Sequence, residues 1–198
     1  AAIMLELQAI GCHNINLVSP SHVVAQILAS VLVAAQAGLH LPLVYNTGGY
    51  DAMISLGLLD GVVDIFMPDM KYASAQIALH YSKARDYPAV NQAAVREMHR
   101  QVGDLQIDEL GLATRGLLVR HLILPNGLAG TEQIVRFLAE EISLNTYLNL
   151  MDQYRPEFNA RQFEKLKRPI QFREFQAAVQ CAQSAGLRRL DEKPLKFV

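Results

Sequence analysis

Polar side chains recur at five places where an apolar run ends, and their types could hold a charged organic ligand or form an imine with one. Asn14 and Asn16 stand two residues apart, and Ser19 follows. Asn46-Thr47-Gly48-Gly49 closes the next apolar stretch. Asp69 and Lys71, again two apart, follow Pro68. Arg120 lies inside the run from Leu118 to Leu124, and Asn149 is followed by Asp152 and Gln153. Side chains alternate along a strand, so Asn14 and Asn16 share one side while Ile15 and Leu17 share the other. Asp69 and Lys71 can form an ion pair, or Lys71 can serve as a Schiff-base amine tuned by the carboxylate. The paired glycines after Thr47 permit positive φ and close approach of a ligand to the main chain. No Lys-Ser or Lys-Thr follows them, so this is not a P-loop.

Each position alone has a plainer use. A lone asparagine at a strand end satisfies a loop carbonyl, Arg120 can pair with Asp69, and Asp69 with Lys71 can be a surface turn. His13, His22 and His121 read as structural histidines. Unpaired polar groups are costly to bury, so their repetition on strand after strand points to a hydrophilic interior able to hold a large charged cofactor.

The elements that must position these residues follow from apolar period and punctuation. A helix runs to about residue 9 and stops at Gly11. Strand 14–18 ends at Ser19-Pro20, and Ser21 is placed to cap a helix over 22–37 closed by Gly38. Strand 42–46, a Thr-Gly-Gly turn and helix 51–59 follow. Strand 62–67 precedes two helical pieces between 74 and 103, separated near Asp86-Tyr87-Pro88. Residues 105–114 form a small hairpin. Strand 116–124, helix 132–142 with Thr131 at its cap, strand 147–151, helix 171–185 and strand 187–190 complete the chain. Strands alternating with helices imply parallel βαβ units, and ligands then bind beyond the carboxyl ends of the strands. A complete eightfold barrel needs about 250 residues. The expectation for 198 residues is therefore an α/β fold of the partial (β/α)6 barrel type, a single domain over 1–198, with a doubly wound open sheet as the alternative.

Bulk composition excludes several classes. A net charge of −1 gives no electrostatic reason to bind nucleic acid or an anionic membrane. Basic residues thicken after Arg155, but Glu157, Glu164 and Glu174 are interspersed, as on a solvated helical face. The two cysteines, Cys12 and Cys181, fit no CxxC pattern, so neither a zinc site nor a disulfide framework is visible. No apolar run reaches the roughly 18 residues of a membrane span. Residues 23–39 come closest, but Gln26, Ser30 and Gln36 mark a buried amphipathic helix. A reducing, cytoplasmic setting is expected. The chain opens on a helix-like pattern without an initiating Met or an N-cap residue, so its start is expected to lie upstream.

The order of these strand ends resembles that of radical-SAM proteins related to pyruvate formate-lyase activating enzyme, in the branch of little-characterised activating-enzyme-like proteins. Four stretches carry the likeness: His13-Asn-Ile-Asn-Leu-Val-Ser-Pro-Ser-His22, Val44-Tyr-Asn-Thr-Gly-Gly-Tyr50, Asp64-Ile-Phe-Met-Pro-Asp-Met-Lys-Tyr72 and Arg120-His-Leu-Ile-Leu-Pro125. Met151-Asp-Gln-Tyr-Arg-Pro156 is a fifth. The set is collinear and spans nearly the whole chain.

The resemblance implies S-adenosyl-L-methionine and a [4Fe–4S] cluster as cofactors. One-electron reduction would cleave the sulfonium to a 5′-deoxyadenosyl radical that takes hydrogen from a protein or small-molecule substrate. By position it implies a cofactor-binding set of Asn16, Ser19, Asn46, Thr47, Asp69, Lys71, Arg120 and Asn149. A glycyl-radical enzyme as protein substrate, and flavodoxin or ferredoxin as electron donor, would be the partners. Two departures matter. Ser19-Pro20-Ser21 stands where the family has Gly-Gly-Glu-Pro, and the cluster-binding CxxxCxxC is absent. The cluster loop and first strand are expected upstream of residue 1, which would leave this polypeptide inert by itself. A Lys71 Schiff-base barrel of the aldolase kind and a non-catalytic ligand-binding barrel remain as alternatives.

Overall fold

The computed structural model describes residues 1–191, and these fold as two compact units. The first comprises Ala1–Pro68 and Ala93–Leu118. The second comprises Asp69–Gln92 and Val119–Val198, described to Asp191.

The first unit begins with α1 (Ala2–Ala9), β1 (Ile15–Val18), a 3-10 turn (Pro20–His22) and α2 (Val24–Gln36). Next come β2 (Leu43–Thr47), α3 (Met53–Leu59) and most of β3 (Ile65–Met70). β1 pairs parallel with β2, Asn16 opposite Val44 and Val18 opposite Asn46, and β2 pairs parallel with β3. After the C-terminal half of α5 (Tyr87–Val102), the two-residue β4 (Gln106–Ile107) pairs antiparallel with the start of β5 (Ala113–Leu122), and β5 lies beside β3. Gly116 has φ 118°, and a Cβ there would run into the backbone of Asp104 and Leu105. Only glycine lets those two segments approach so closely.

The second unit holds the end of β3, α4 (Ala75–Ser82), the start of α5 and the second half of β5. α6 (Thr131–Phe137), β6 (Tyr147–Met151), α7 (Phe172–Ser184) and β7 (Arg189–Asp191) follow. Strand order here is β5-β6-β7, with β6 and β7 parallel. This is the expected α/β class, parallel strands joined by helices, with the expected hairpin as its antiparallel exception.

Each unit has its own apolar core. In the first, Met4, Ile15, Ala34 and Leu43 cluster, and the buried rings of Tyr45 and Phe66 meet edge to face at 5.7 Å. In the second, Leu124, Leu128, Ala129 and Leu166 cluster beneath a layer of partly buried tyrosines. Full burial of each leucine contributes roughly 1.5–3 kcal/mol.

Several boundaries differ from the sequence expectation for identifiable reasons. β3 continues to Met70 through Pro68, which sits opposite Thr47 in the ladder. Proline usually marks a strand end, so the strand was expected to stop at Met67. α2 starts at Val24 because Ser21 belongs to the preceding 3-10 turn and spends its hydroxyl elsewhere. α2 is also more exposed than expected: only Val24 and Ala34 are buried, while Leu32 and Val33 are exposed. Thr131 is not a cap. Gly130 is the N-cap of α6, and the helix passes into a π turn over Leu138–Ile142. The basic stretch after Arg155 forms a 3-10 turn (Phe158–Gln162) and loops rather than an α-helix.

α7 begins with a complete capping box between Gln171 and Glu174. The Glu174 carboxylate also takes two hydrogen bonds from Arg168, at 2.7 and 2.9 Å, and one from the Asn126 amide at 2.7 Å. The Arg168 guanidinium, foremost among these donors, holds the Glu174 carboxyl down at about 2. A carboxyl depressed on folding adds stability above its unfolded value, and that stability is lost as pH falls through about 2. Replacing Glu174 by Ala is expected to lower stability by about 1–3 kcal/mol at pH 7, a figure discounted for solvent screening. Urea unfolding should show the deficit shrinking between pH 4.5 and 2. A deficit that does not change with pH would count against the ion pair as its source.

Candidate functional site

The charged centre of the second unit is Asp69, the penultimate residue of β3. Its Oδ1 accepts from Arg120 Nε at 2.8 Å and from Nη2 at 2.6 Å, while Oδ2 lies 3.2 Å from Lys71 Nζ. One carboxylate thus faces two cations. The carboxylate is nearly buried, with 11% of its side chain exposed, whereas Lys71 keeps 40% and Arg120 26%. The cations are the part of the cluster that a ligand in solvent can reach.

The main chain of Asp69 is held as firmly as its side chain. Its carbonyl accepts from Tyr87 Oη at 3.1 Å and from Asn91 Nδ2 at 2.9 Å, and the Lys71 amide donates to Tyr87 Oη at 3.1 Å. Tyr87 and Asn91 stand four apart on α5, one helical turn, so a single face reaches the strand end twice. Both are buried. Pre-set geometry of this kind spares a binding site the cost of ordering its groups when ligand arrives.

Next along β5 from Arg120, His121 points the other way and is fully buried. Its Nδ1 lies 2.7 Å from the Met70 carbonyl, which can only accept, so Nδ1 carries the proton and Nε2 accepts from Thr131 Oγ1 at 2.9 Å. Burial pushes the imidazole down to about 4. It is a satisfied structural histidine, as the sequence indicated. The unfolded chain therefore binds one more proton than the folded chain between pH 6.5 and 4, and stability falls as pH drops through that window. The full loss is about 3 kcal/mol below pH 4. His121→Gln should flatten this part of the stability profile measured by urea unfolding. An unchanged slope would remove His121 as its cause.

In the first unit, the residues flanking the paired glycines form a hydroxyl network. The buried Asp51 carboxylate accepts from Ser21 Oγ at 2.7 Å, Tyr45 Oη at 2.9 Å and Thr47 Oγ1 at 2.7 Å. Thr47 Oγ1 in turn accepts from the Gly49 amide at 3.2 Å. Burial first, and then the Asp51 carboxylate, raise the Tyr45 phenol far above its ordinary value, so it acts here as a donor. Gly49 has φ 72°, the left-handed conformation that glycine supplies without strain. The network fixes this turn, and Thr47 is spent inside it.

The remaining sequence candidates divide by unit. In the first, Asn16 and Ser19 are exposed, with Ser19 at φ 52°, and Asn46 is half-buried at the end of β2. In the second, Asn149 is half-buried and donates to Asp191 at 2.9 Å. The structure thus brings Asp69, Lys71 and Arg120 into one cluster and engages Thr47 and Asn149 with other partners. Asp51, Tyr45 and Ser21 were missed, as were Tyr87 and Asn91. Tyr45 and Thr47 share one side of a strand, and Tyr87 and Asn91 share one side of a helix. That spacing was the available signal. Among the described residues, no group of three or more His, Cys, Asp or Glu could hold a metal ion, Cys12 and Cys181 are free, and no helix is long and apolar enough to cross a membrane.

No family model matches the chain. An uncharacterized protein of Methanocaldococcus jannaschii is 28% identical over 149 residues, covering 75% of this chain and 40% of that protein. The chain thus spans well under half the length of this curated relative. Among solved structures, a domain of pyruvate-formate lyase-activating enzyme from Bacteroides vulgatus ATCC 8482 matches with a TM-score of 0.62. That match covers 88% of this chain and 96% of that domain, at 11% sequence identity. Identity that low speaks to architecture alone: the chain has the α/β, partial-barrel fold of that domain.

Proposed function

We propose that this chain is the cofactor-binding part of a radical-SAM protein similar to the activating enzymes, and that the Asp69–Arg120–Lys71 cluster holds S-adenosyl-L-methionine. The observation that carries the reading is one carboxylate and two partly exposed cations at the carboxyl end of a parallel strand, with its backbone clamped from α5. The fold shared with a domain of a pyruvate-formate lyase-activating enzyme supports it.

The chemistry of the cluster suits the methionine end of the cofactor. Arg120 and Lys71 offer hydrogen bonds to a carboxylate, a planar fork from one and a point charge from the other. Asp69 sets the direction of both and balances their charge. Bound there, S-adenosylmethionine would supply hydrogen-abstraction chemistry, and the residues that would hold it are Asp69, Arg120 and Lys71. Arg120 and Lys71 bind the cofactor in this reading, and Asp69, held from α5, orients them.

The [4Fe–4S] group does not fit the described residues, which offer two cysteines, Cys12 and Cys181, and no group of three or more His, Cys, Asp or Glu that could hold a metal. In this proposal the cluster's ligands would come from outside the described residues. A protein substrate and a flavodoxin- or ferredoxin-type donor belong to the same proposal. A Schiff-base role for Lys71 gains nothing from the geometry. An imine-forming lysine works as a free amine in apolar surroundings, whereas Lys71 is paired with a carboxylate and open to solvent.

The test is anaerobic reconstitution of the longer protein with iron and sulfide, followed by reduction in the presence of S-adenosylmethionine. Methionine and 5′-deoxyadenosine are the expected products. A coding sequence with no upstream CxxxCxxC, or a reconstituted protein that leaves the cofactor intact, would replace this reading with a non-catalytic ligand-binding barrel.

A further inference from the structure

A small concavity in the second unit is used neither by the charged cluster nor by the proposed chemistry. Tyr72, Tyr81, Tyr154 and Phe163 line a cavity of about 220 Å³, with Glu157 and Phe158 at its wall. Tyr81 and Phe163 meet edge to face at 5.0 Å, and His80 packs on both. Two of the three phenols are already committed, Tyr72 to Ser82 at 2.9 Å and Tyr154 to the Leu166 carbonyl at 2.8 Å. Those bonds fix how the rings stand. The Tyr154 phenol is raised mainly by burial and then by Tyr72 and Tyr81, which is how three phenols gathered around one space behave.

Three features decide what such a space takes. Its volume is below the roughly 300–1,000 Å³ of sites for whole drug-sized ligands, so it suits a head group or one side chain. Its wall contains no lysine or arginine, and Glu157 has no ion-pair partner among the described residues. Among the described residues that line the space, the only full charge is therefore negative, and aromatic faces add the negative side of their quadrupoles. Phe158 stands at the wall with φ 48° and 92% of its surface exposed. A bulky residue in the left-handed region is strained, and nothing in the packing of so exposed a ring compensates for it.

We propose that this pocket is an aromatic cage for an alkylated ammonium group, with Glu157 supplying the counter-charge. A weakly hydrated, apolar-skinned cation gains from aromatic faces what it loses in water, while a neutral group of the same shape gains only the apolar contact. The group can arrive on a small molecule such as choline or on a methylated lysine side chain, and the cage chemistry is the same for both.

The experiment titrates the 198-residue protein with choline, with its uncharged carbon isostere 3,3-dimethylbutan-1-ol, and with a short peptide bearing trimethyllysine. Protein NMR or calorimetry gives the affinities. Choline or the peptide is expected to bind roughly three- to thirtyfold more tightly than the isostere, and the tighter of the two identifies the source. Glu157→Gln, an exposed change that leaves the rings in place, should lower that preference by roughly two- to fivefold. Tyr81→Leu should weaken the cations more than the isostere. Equal affinity for choline and its isostere, or binding by none of the three probes, would overturn the cage. Neither outcome depends on the cofactor site.

Discussion

Asp69→Ala is expected to destabilise the chain by about 3 kcal/mol, the largest loss of any change in the charged cluster. The reason is an asymmetry in how the charges are arranged. Arg120 and Lys71 both face one carboxylate, so removing it leaves two cations side by side, one of them three-quarters buried. Arg120→Ala still leaves Asp69 paired with Lys71, and Lys71→Ala still leaves the arginine on Asp69, with its Nε and Nη2 bonds intact. Their expected losses are about 1–2 kcal/mol and under about 1 kcal/mol, in keeping with the exposure of Lys71. Denaturant unfolding of the three variants should return that order. If Lys71→Ala costs as much as Asp69→Ala, the pairing inferred for the cluster is wrong.

The second large effect is expected at Asp51, which lies outside every motif. Its carboxylate is 2% exposed and collects three hydroxyl donors. A hydrogen bond to a charged acceptor contributes about 1.5–3 kcal/mol, and a buried donor left without a partner costs about 1–3 kcal/mol. The three terms do not add fully, because Ser21 and Thr47 lie 3.1 Å apart and can bond each other once the carboxylate is gone. Tyr45 would be left with Ser21 alone. Asp51→Ala should therefore cost about 3–4 kcal/mol in urea unfolding. Asp51→Asn should cost less, about 1–2 kcal/mol, because the amide oxygen still accepts while its NH2 faces an oxygen that already accepts from Gly49. A loss below 1 kcal/mol for Asp51→Ala would show that the turn holds without the network.

The alternation of strands and helices and the hairpin after α5 were legible because each rests on local signals: apolar period, glycine stops and turn residues. The Asp69–Arg120 ion pair was legible for a different reason. A lone arginine in an apolar strand needs a carboxylate, and the chain offers few at strand ends. The Asp51 network was not legible. Its four members come from three segments, and each has an ordinary local role as a strand residue, a loop hydroxyl or a helix start. Only the fold brings them within 3 Å. Pro68 misled in the opposite direction, because its missing N–H implied a strand end that the ladder opposite Thr47 overrides. The aromatic pocket escaped as well, since Tyr72, Tyr81, Tyr154 and Phe163 show no period in sequence and meet only through the cluster beneath them.

The measurement closest to the central claim is an equilibrium titration of S-adenosylmethionine into the reconstituted longer protein, wild type against Arg120→Ala. Stability is checked first, so that only folded protein is compared. Loss of a charge-assisted, two-point contact to the cofactor should weaken binding about ten- to a hundredfold, and Lys71→Ala should weaken it less. Binding that is unchanged in both variants would contradict the assignment, leaving Asp69, Arg120 and Lys71 as an ion-pair clasp between strands and nothing more.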